Sequence, residues 1–195
     1  MSSIVKGALV EGRLALEELL ANEQTLSNIE EAGKLLAKSF LSGNRVFSCG
    51  NGGSMCDAMH FAEELSGRFR LGRPPLAAAS ISDPSHITCT ANDYGYEQIF
   101  ARYVSCHGQK GDVLFAISTS GKSANVIEAA KAARQRGLFV IGLTGRNDAP
   151  LDELADIVIC TPAGRYADRV QELHIKVIHI LIELVERELF PKNYE

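Results

Sequence analysis

Ser48-Cys49-Gly50-Asn51-Gly52-Gly53-Ser54 decides how this chain of 195 residues folds. The run Arg45-Val46-Phe47 leads into it, and a helical pattern from Met55 to Phe69 leads out. Strand, glycine turn, helix is the arrangement by which an α/β protein aims free backbone N–H groups at an anion. The three glycines let the backbone pass close to a ligand and take up positive φ where the turn needs it. The helix that follows carries His60 and Glu64, spaced i, i+4 on one face. One element therefore offers an anion cradle and acid–base groups together. That combination is expected of an enzyme acting on a phosphorylated small molecule.

Two nucleotide-binding signals fail on inspection. The dinucleotide fingerprint G-x-G-x-x-G would need glycine where the chain has Met55. Gly121-Lys122-Ser123 resembles the end of a P-loop, but the first glycine of that motif would fall at Ala116, inside an apolar strand.

Composition narrows the class further. The chain is 46% hydrophobic and 23% charged, enough to bury a core, with a net charge of −4. That charge gives no footprint for nucleic acid or an anionic membrane. Arg68, Arg70 and Arg73 form the one basic cluster, which reads as a solvated face or an interface. Five cysteines form no C-x-x-C, and several lie in apolar sequence, as small buried hydrophobes in a reducing compartment would. The N-terminal pattern is an amphipathic helix rather than a leader, and no run reaches the roughly 18 apolar residues of a membrane span. These features point to a cytoplasmic protein.

Outward from the glycine turn, residues 2 to 42 read as two helices ending at Ser42-Gly43-Asn44. Lying ahead of any strand, this pair either packs on a partner subunit or covers its own core. Beyond it the period alternates. Strands are predicted at Val46-Phe47, Leu76–Ile81, Val113–Ile117, Leu138–Leu143 and Ile157–Cys160. Helices are predicted at Gly53–Phe69, after Ser82-Asp83-Pro84, at Tyr96–Ser105 and at Ala124–Arg136. A short one is expected after Pro150 and a long one over Asp168–Leu189. The expected fold is α/β, a five-stranded parallel sheet with helices on both faces (flavodoxin-like), plus the N-terminal helical pair. With no linker or repeat, residues 1–195 form a single domain, helices over 1–43 and an α/β core over 44–195.

Ligands collect at the carboxyl ends of such strands. Three segments are predicted there: Gly50–Ser54, the turn Asn92-Asp93, and Ser118–Ser123. The last holds Ser118, Thr119, Ser120 and Ser123 at a helix N-terminus, where hydroxyls and N–H groups can hold a phosphate. Plain N-capping is the alternative, but one cap needs one hydroxyl. On the final helix Gln171, His174 and His179 interrupt an apolar face, and a histidine so placed is either a satisfied core residue or a functional one. Asp168 alone reads as a helix cap, and His60 with Glu64 could be a surface pair.

The stretches CGNGGS-x-CDAMHFAEEL, SDPSHITC-x-AND, ISTSG-x-SANVI and YADRVQE-x-HIKVIHI resemble the bacterial phosphoheptose isomerases of the sugar isomerase (SIS) fold, over essentially the whole chain. The resemblance implies conversion of sedoheptulose 7-phosphate to D-glycero-D-manno-heptose 7-phosphate, the first step of the ADP-heptose route to lipopolysaccharide core. It implies substrate contacts at Asn51, Gly52, Gly53, Ser54, Glu64, Asn92, Asp93, Ser118, Thr119, Ser120, Ser123, Asp168 and Gln171. Glu64 and His179 match the acid–base pair; His60, Glu64, Gln171 and His179 match a zinc site, one ion per subunit. A homotetramer with active sites at subunit interfaces is implied as well. Two departures stand out: Lys122 replaces an expected asparagine, and Arg146-Asn147-Asp148-Ala149 replaces a glycine-rich turn in what reads as a peripheral loop. A non-catalytic SIS relative that binds the replication initiator is the second reading, and the presence of the four metal-site residues favours the enzyme.

Overall fold

Five short apolar runs pair as one parallel sheet in the computed structural model, which describes residues 2–162, 164 and 166–195. The strands are β1 (Val46–Cys49), β2 (Ala78–Ser80), β3 (Val113–Ser118), β4 (Phe139–Thr144) and β5 (Ile157–Cys160), in spatial order β2-β1-β3-β4-β5. This order reverses direction between β1 and β3, whose register aligns Val46 with Val113 and Cys49 with Ala116. The two loops richest in phosphate-binding signals therefore open side by side at the switch point of the sheet.

Alternation along the strands fills two cores. Val46, Phe115 and Ile117 face α2 (Glu23–Leu41), α3 (Gly53–Ser66) and α7 (Ala167–Leu189); Phe47, Leu114 and Ala116 face α5 (Ile99–His107) and α6 (Ala124–Arg136). The remaining helices are α1 (Ser2–Leu20) and α4 (Pro84–Tyr94). Caps set several ends: the Asn22 side chain accepts from Thr25 N, Asp83 accepts from His86 N ahead of Pro84, and Gly137 takes the left-handed conformation after α6. No helix among the described residues is long and apolar enough to cross a membrane.

Several expectations need correction. The predicted helix after Pro150 is a set of turns, held by Ala149 N–H on Asp152 Oδ2 (3.1 Å) and Leu154 N–H on Leu151 O (3.1 Å). The α3 helix stops at Ser66 rather than Phe69. Only Cys49 is fully buried, while Cys56, Cys89 and Cys106 sit on exposed helical positions. The two helices of the N-terminal pair differ in how they are buried. The α2 helix covers its own core, with Asn28 Nδ2 donating to Val158 O at 2.7 Å; α1 leaves Ile4, Val5, Leu9, Leu14 and Leu20 exposed.

Arg73 is not a surface residue. Its side chain is 1% exposed and ion-paired to the fully buried Glu186 of α7 at 2.7 Å. The same guanidinium donates to the carbonyls of Glu64 (2.7 Å) and Leu65 (2.6 Å), satisfying acceptors that the end of α3 leaves open. Tyr194 Oη donates to the other Glu186 oxygen at 2.8 Å. Removing one partner strands a buried charge, so Glu186→Ala is expected to destabilise by about 3–5 kcal/mol in urea titrations. A loss below about 1 kcal/mol would show that the pair does not hold α3 to α7.

Candidate active site

The glycine turn has the shape its sequence demands. Gly52 has φ +54°, and a Cβ at Gly50 would lie 2.6 Å from Ser54 O. A Cβ at Gly53 would come within 2.7 Å of Gln171 Nε2, so α7 reaches the first turn of α3 only because residue 53 is glycine. Ser54 is buried and closes the turn through its N–H on Asn51 O at 3.0 Å.

From that contact α3 and α7 continue side by side in the same direction. Seven residues after Gly53 comes His60, and eight after Gln171 comes His179. The two imidazoles meet, Nε2 to Nε2, at 3.0 Å, and His60 Nε2 lies 3.4 Å from Glu64 Oε1. One ligand atom from each of His60, Glu64 and His179 lies within 4.8 Å of the others. Two donors on one tetrahedral zinc at about 2.0–2.1 Å stand about 3.3 Å apart, so this donor set fits zinc. Gln171 lies just over two helical turns away against Gly53, roughly 12 Å along the axis, and is not part of that cluster in the single chain.

The other candidates gather at the switch point. Ser118 Oγ and Ser123 Oγ are 3.1 Å apart, and Ser120 Oγ accepts from Lys122 N at 3.2 Å. Ser123 occupies the N-cap position of α6, yet no described side chain caps that helix. The Ser123 hydroxyl is thus not spent on capping, while Val126 N–H is taken by Ser123 O at 3.1 Å. Asn92 and Asp93 lie in the last turn of α4 rather than in a loop, joined at 2.7 Å and ahead of Gly95 with φ +93°. Asp168, exposed in the first turn of α7, lines a hollow of about 510 Å³ with Glu11 and Leu14 of α1, away from the histidines. Arg146 is not peripheral. With Thr119, Ser120 and Val170 it lines a hollow of about 200 Å³.

The SIS domain model matches residues 13–145. A phosphoheptose isomerase of Aeromonas salmonicida (strain A449) is 55% identical over 186 residues, spanning 95% of this chain and 97% of that protein. The structure of phosphoheptose isomerase from Neisseria gonorrhoeae superimposes with a TM-score of 0.87 at 36% identity, over 95% of this chain and 98% of that one. That of a phosphoheptose isomerase from Francisella tularensis gives 0.89 at 33% identity, over 96% and 100%. The chain belongs to the phosphoheptose isomerase family of SIS-domain proteins.

Burial tunes the cluster of His60, Glu64 and His179. The Glu64 carboxyl is raised above its usual range, first by desolvation and then by the neighbouring Glu63 charge, with His60 pulling the other way. His179 is lowered by burial and by the positive potential of His60, Lys176 and Arg70, which favours its neutral form. The ring of Phe69 stacks on His179 at 5.8 Å between centroids. His174, by contrast, is a core histidine of α7: fully buried, bonded through Nε2 to Thr144 O at 3.1 Å, with no partner for Nδ1 among the described residues, and pushed down to about 4 by burial.

Asp57, one turn before His60, escapes any sequence signal. It is half-buried, its Oδ2 has no hydrogen-bond partner among the described residues, and desolvation pushes it up to about 6 against the pull of His60. A carboxyl whose folded pKa exceeds its unfolded one loses stability as pH rises through that interval, here from about 4 to about 6. Metal-free Asp57→Asn is therefore expected to be more stable than the parent at pH 7.5 and equal to it near pH 4. The gain should be roughly 1 kcal/mol, below the full shift because the group is half in solvent. Urea midpoints at the two pH values check this; a loss at pH 7.5 would mean that the charged carboxylate is paired.

Proposed function

We infer that this chain isomerises sedoheptulose 7-phosphate to D-glycero-D-manno-heptose 7-phosphate, the ketose–aldose exchange of its family. The convergence of His60, Glu64 and His179 between α3 and α7, in a chain that also carries the Ser118–Ser123 turn, carries the reading. A non-catalytic, initiator-binding relative would have no use for that convergence.

Ketose–aldose exchange moves one proton between neighbouring carbons and another between their oxygens, through an enediol. Glu64 takes the proton from C1 of the ketose and returns it to C2. Its pKa, raised chiefly by burial, makes it a stronger base than an exposed carboxylate. His179, neutral, carries the proton between O1 and O2. Ser118, Thr119, Ser120 and Ser123, with the N–H groups opening α6, hold the phosphate and so fix the far end of the sugar. Asn51, Gly52, Gly53, Ser54, Asn92, Asp93, Asp168 and Gln171 complete the substrate contacts.

His60, Glu64 and His179 would hold a zinc ion, one per subunit, with Gln171 as the family's fourth ligand. Bound there, zinc would polarise the sugar carbonyl and lower the energy of the enediolate charge. A carboxylate has two oxygens, so Glu64 can present one to a cation and the other to C–H. The exposed apolar residues of α1, and the position of Asp168 beside that helix rather than beside the histidines, support a homotetramer whose active sites are completed across subunit boundaries. The route served is ADP-heptose synthesis for lipopolysaccharide core, in the cytoplasm.

Purified protein is expected to turn over sedoheptulose 7-phosphate. Glu64→Gln should lower kcat by roughly 10²-fold or more with KM largely retained. Chelation should lower the rate, and zinc restore it. Glu64→Gln within a few-fold of the parent would remove Glu64 from the role of base, and full activity in metal-free protein would remove the metal from the mechanism.

A further inference from the structure

The carboxamide of Asn51 is held at three points. Its Nδ2 donates to Asn125 Oδ1 at 2.8 Å, and Asn125 Nδ2 donates back to Asn51 Oδ1, also at 2.8 Å. Tyr96 Oη donates to the same Oδ1 at 3.1 Å. Both acceptor sites of Asn51 Oδ1 are thereby used, and one Nδ2 hydrogen is left.

The three residues come from three different crossovers. Asn51 follows β1. Tyr96 stands three residues beyond Asp93, in the 3₁₀ turn Tyr96–Gln98 that follows α4. Asn125 stands two residues beyond Ser123, in the first turn of α6. The segments after β1, α4 and β3 that carry proposed sugar or phosphate contacts are therefore tied together through one amide group.

The tie is specific in chemistry as well as in place. Asn125 is 3% exposed, and its neighbours on the buried face of α6, Val126, Ala129 and Ala130, are apolar. Asparagine is a poor helix former, and a buried amide without a partner is costly. Packing alone would favour an apolar side chain at 125. The reciprocal pair with Asn51 is what the amide supplies.

We propose that Asn125 and Tyr96 are positioning residues for the isomerase site. They fix the orientation of the Asn51 carboxamide, so that it offers a single N–H donor to a sugar oxygen, and they hold the β1 turn in register with the phosphate-binding turn after β3. The proposal rests on the reading of Asn51 as a substrate contact.

The test compares Asn51→Ala, Asn125→Ala, the double variant, Asn125→Asp and Tyr96→Phe, measuring kcat and KM for sedoheptulose 7-phosphate alongside thermal midpoints. Asn51→Ala and Asn125→Ala should each raise KM about tenfold while kcat changes far less. The double variant should be no worse than Asn51→Ala, because Asn125 acts through Asn51. Asn125→Asp keeps the acceptor but loses the returning donor, and it should fall between parent and Asn125→Ala. Tyr96→Phe should raise KM about two- to threefold.

If Asn51→Ala raises KM and Asn125→Ala does not, the positioning role is overturned and the reading of Asn51 survives. If Asn51→Ala leaves KM unchanged, that reading itself fails. Multiplying losses in the double variant would show that Asn125 acts independently, against the proposal. Should Asn125→Ala prove too unstable to assay, unchanged KM in both Asn125→Asp and Tyr96→Phe overturns it instead.

Discussion

The site depends on two helices being held at both ends. At the carboxyl edge of the sheet, Gln171 packs into the space where Gly53 has no side chain. At the far end, Arg73 joins the last carbonyls of α3 to the buried carboxylate of Glu186 on α7. With both ends fixed, the middle has little freedom, and His60 and His179 come to 3.0 Å from one another. A packed interface of this kind resists small displacements, because shifting one helix opens voids or forces clashes along its whole length. The geometry of the His60–Glu64–His179 cluster is a consequence of core packing, not of loop placement.

Much of this was legible in the sequence, and the legible part has a common character. The glycine turn, the serine-rich turn, the strands around them and the His60–Glu64 spacing are all local, and local chemistry predicts local geometry. His174 and His179 show the boundary. Both interrupt the same apolar face, and the sequence leaves either as a core residue or a ligand. The structure separates them by what each meets across the core: a strand carbonyl for one, a second imidazole for the other. Arg73, Asp57, Asn125 and Tyr96 were invisible for the same reason, since each draws its significance from a partner or a desolvating surface distant in the chain. The segment after Pro150 closes as successive tight turns, Asp152 N–H on Ala149 O and Leu154 N–H on Leu151 O, rather than as a helix.

Electrostatics and packing act together in the cluster. A carboxylate with raised basicity and an imidazole kept neutral are what an enediol mechanism asks of its two proton carriers, and partial burial produces both at once. The same burial brings three donors to a separation suited to one ion. These are compatible demands on one environment, so the proposed proton-transfer pair and the proposed metal site can share residues.

The central claim is that the hydrogen moves as a proton, carried by Glu64, rather than as a hydride. Running the isomerisation in D2O and following C2 of the heptose product by NMR tests it most directly. Glu64 is partly exposed, so the proton it carries exchanges with solvent, and the account predicts deuterium at C2 in product formed before equilibrium is reached. Complete retention of the substrate's C1 hydrogen at C2, with no solvent deuterium incorporated, would point to an intramolecular hydride shift and contradict the role assigned to Glu64.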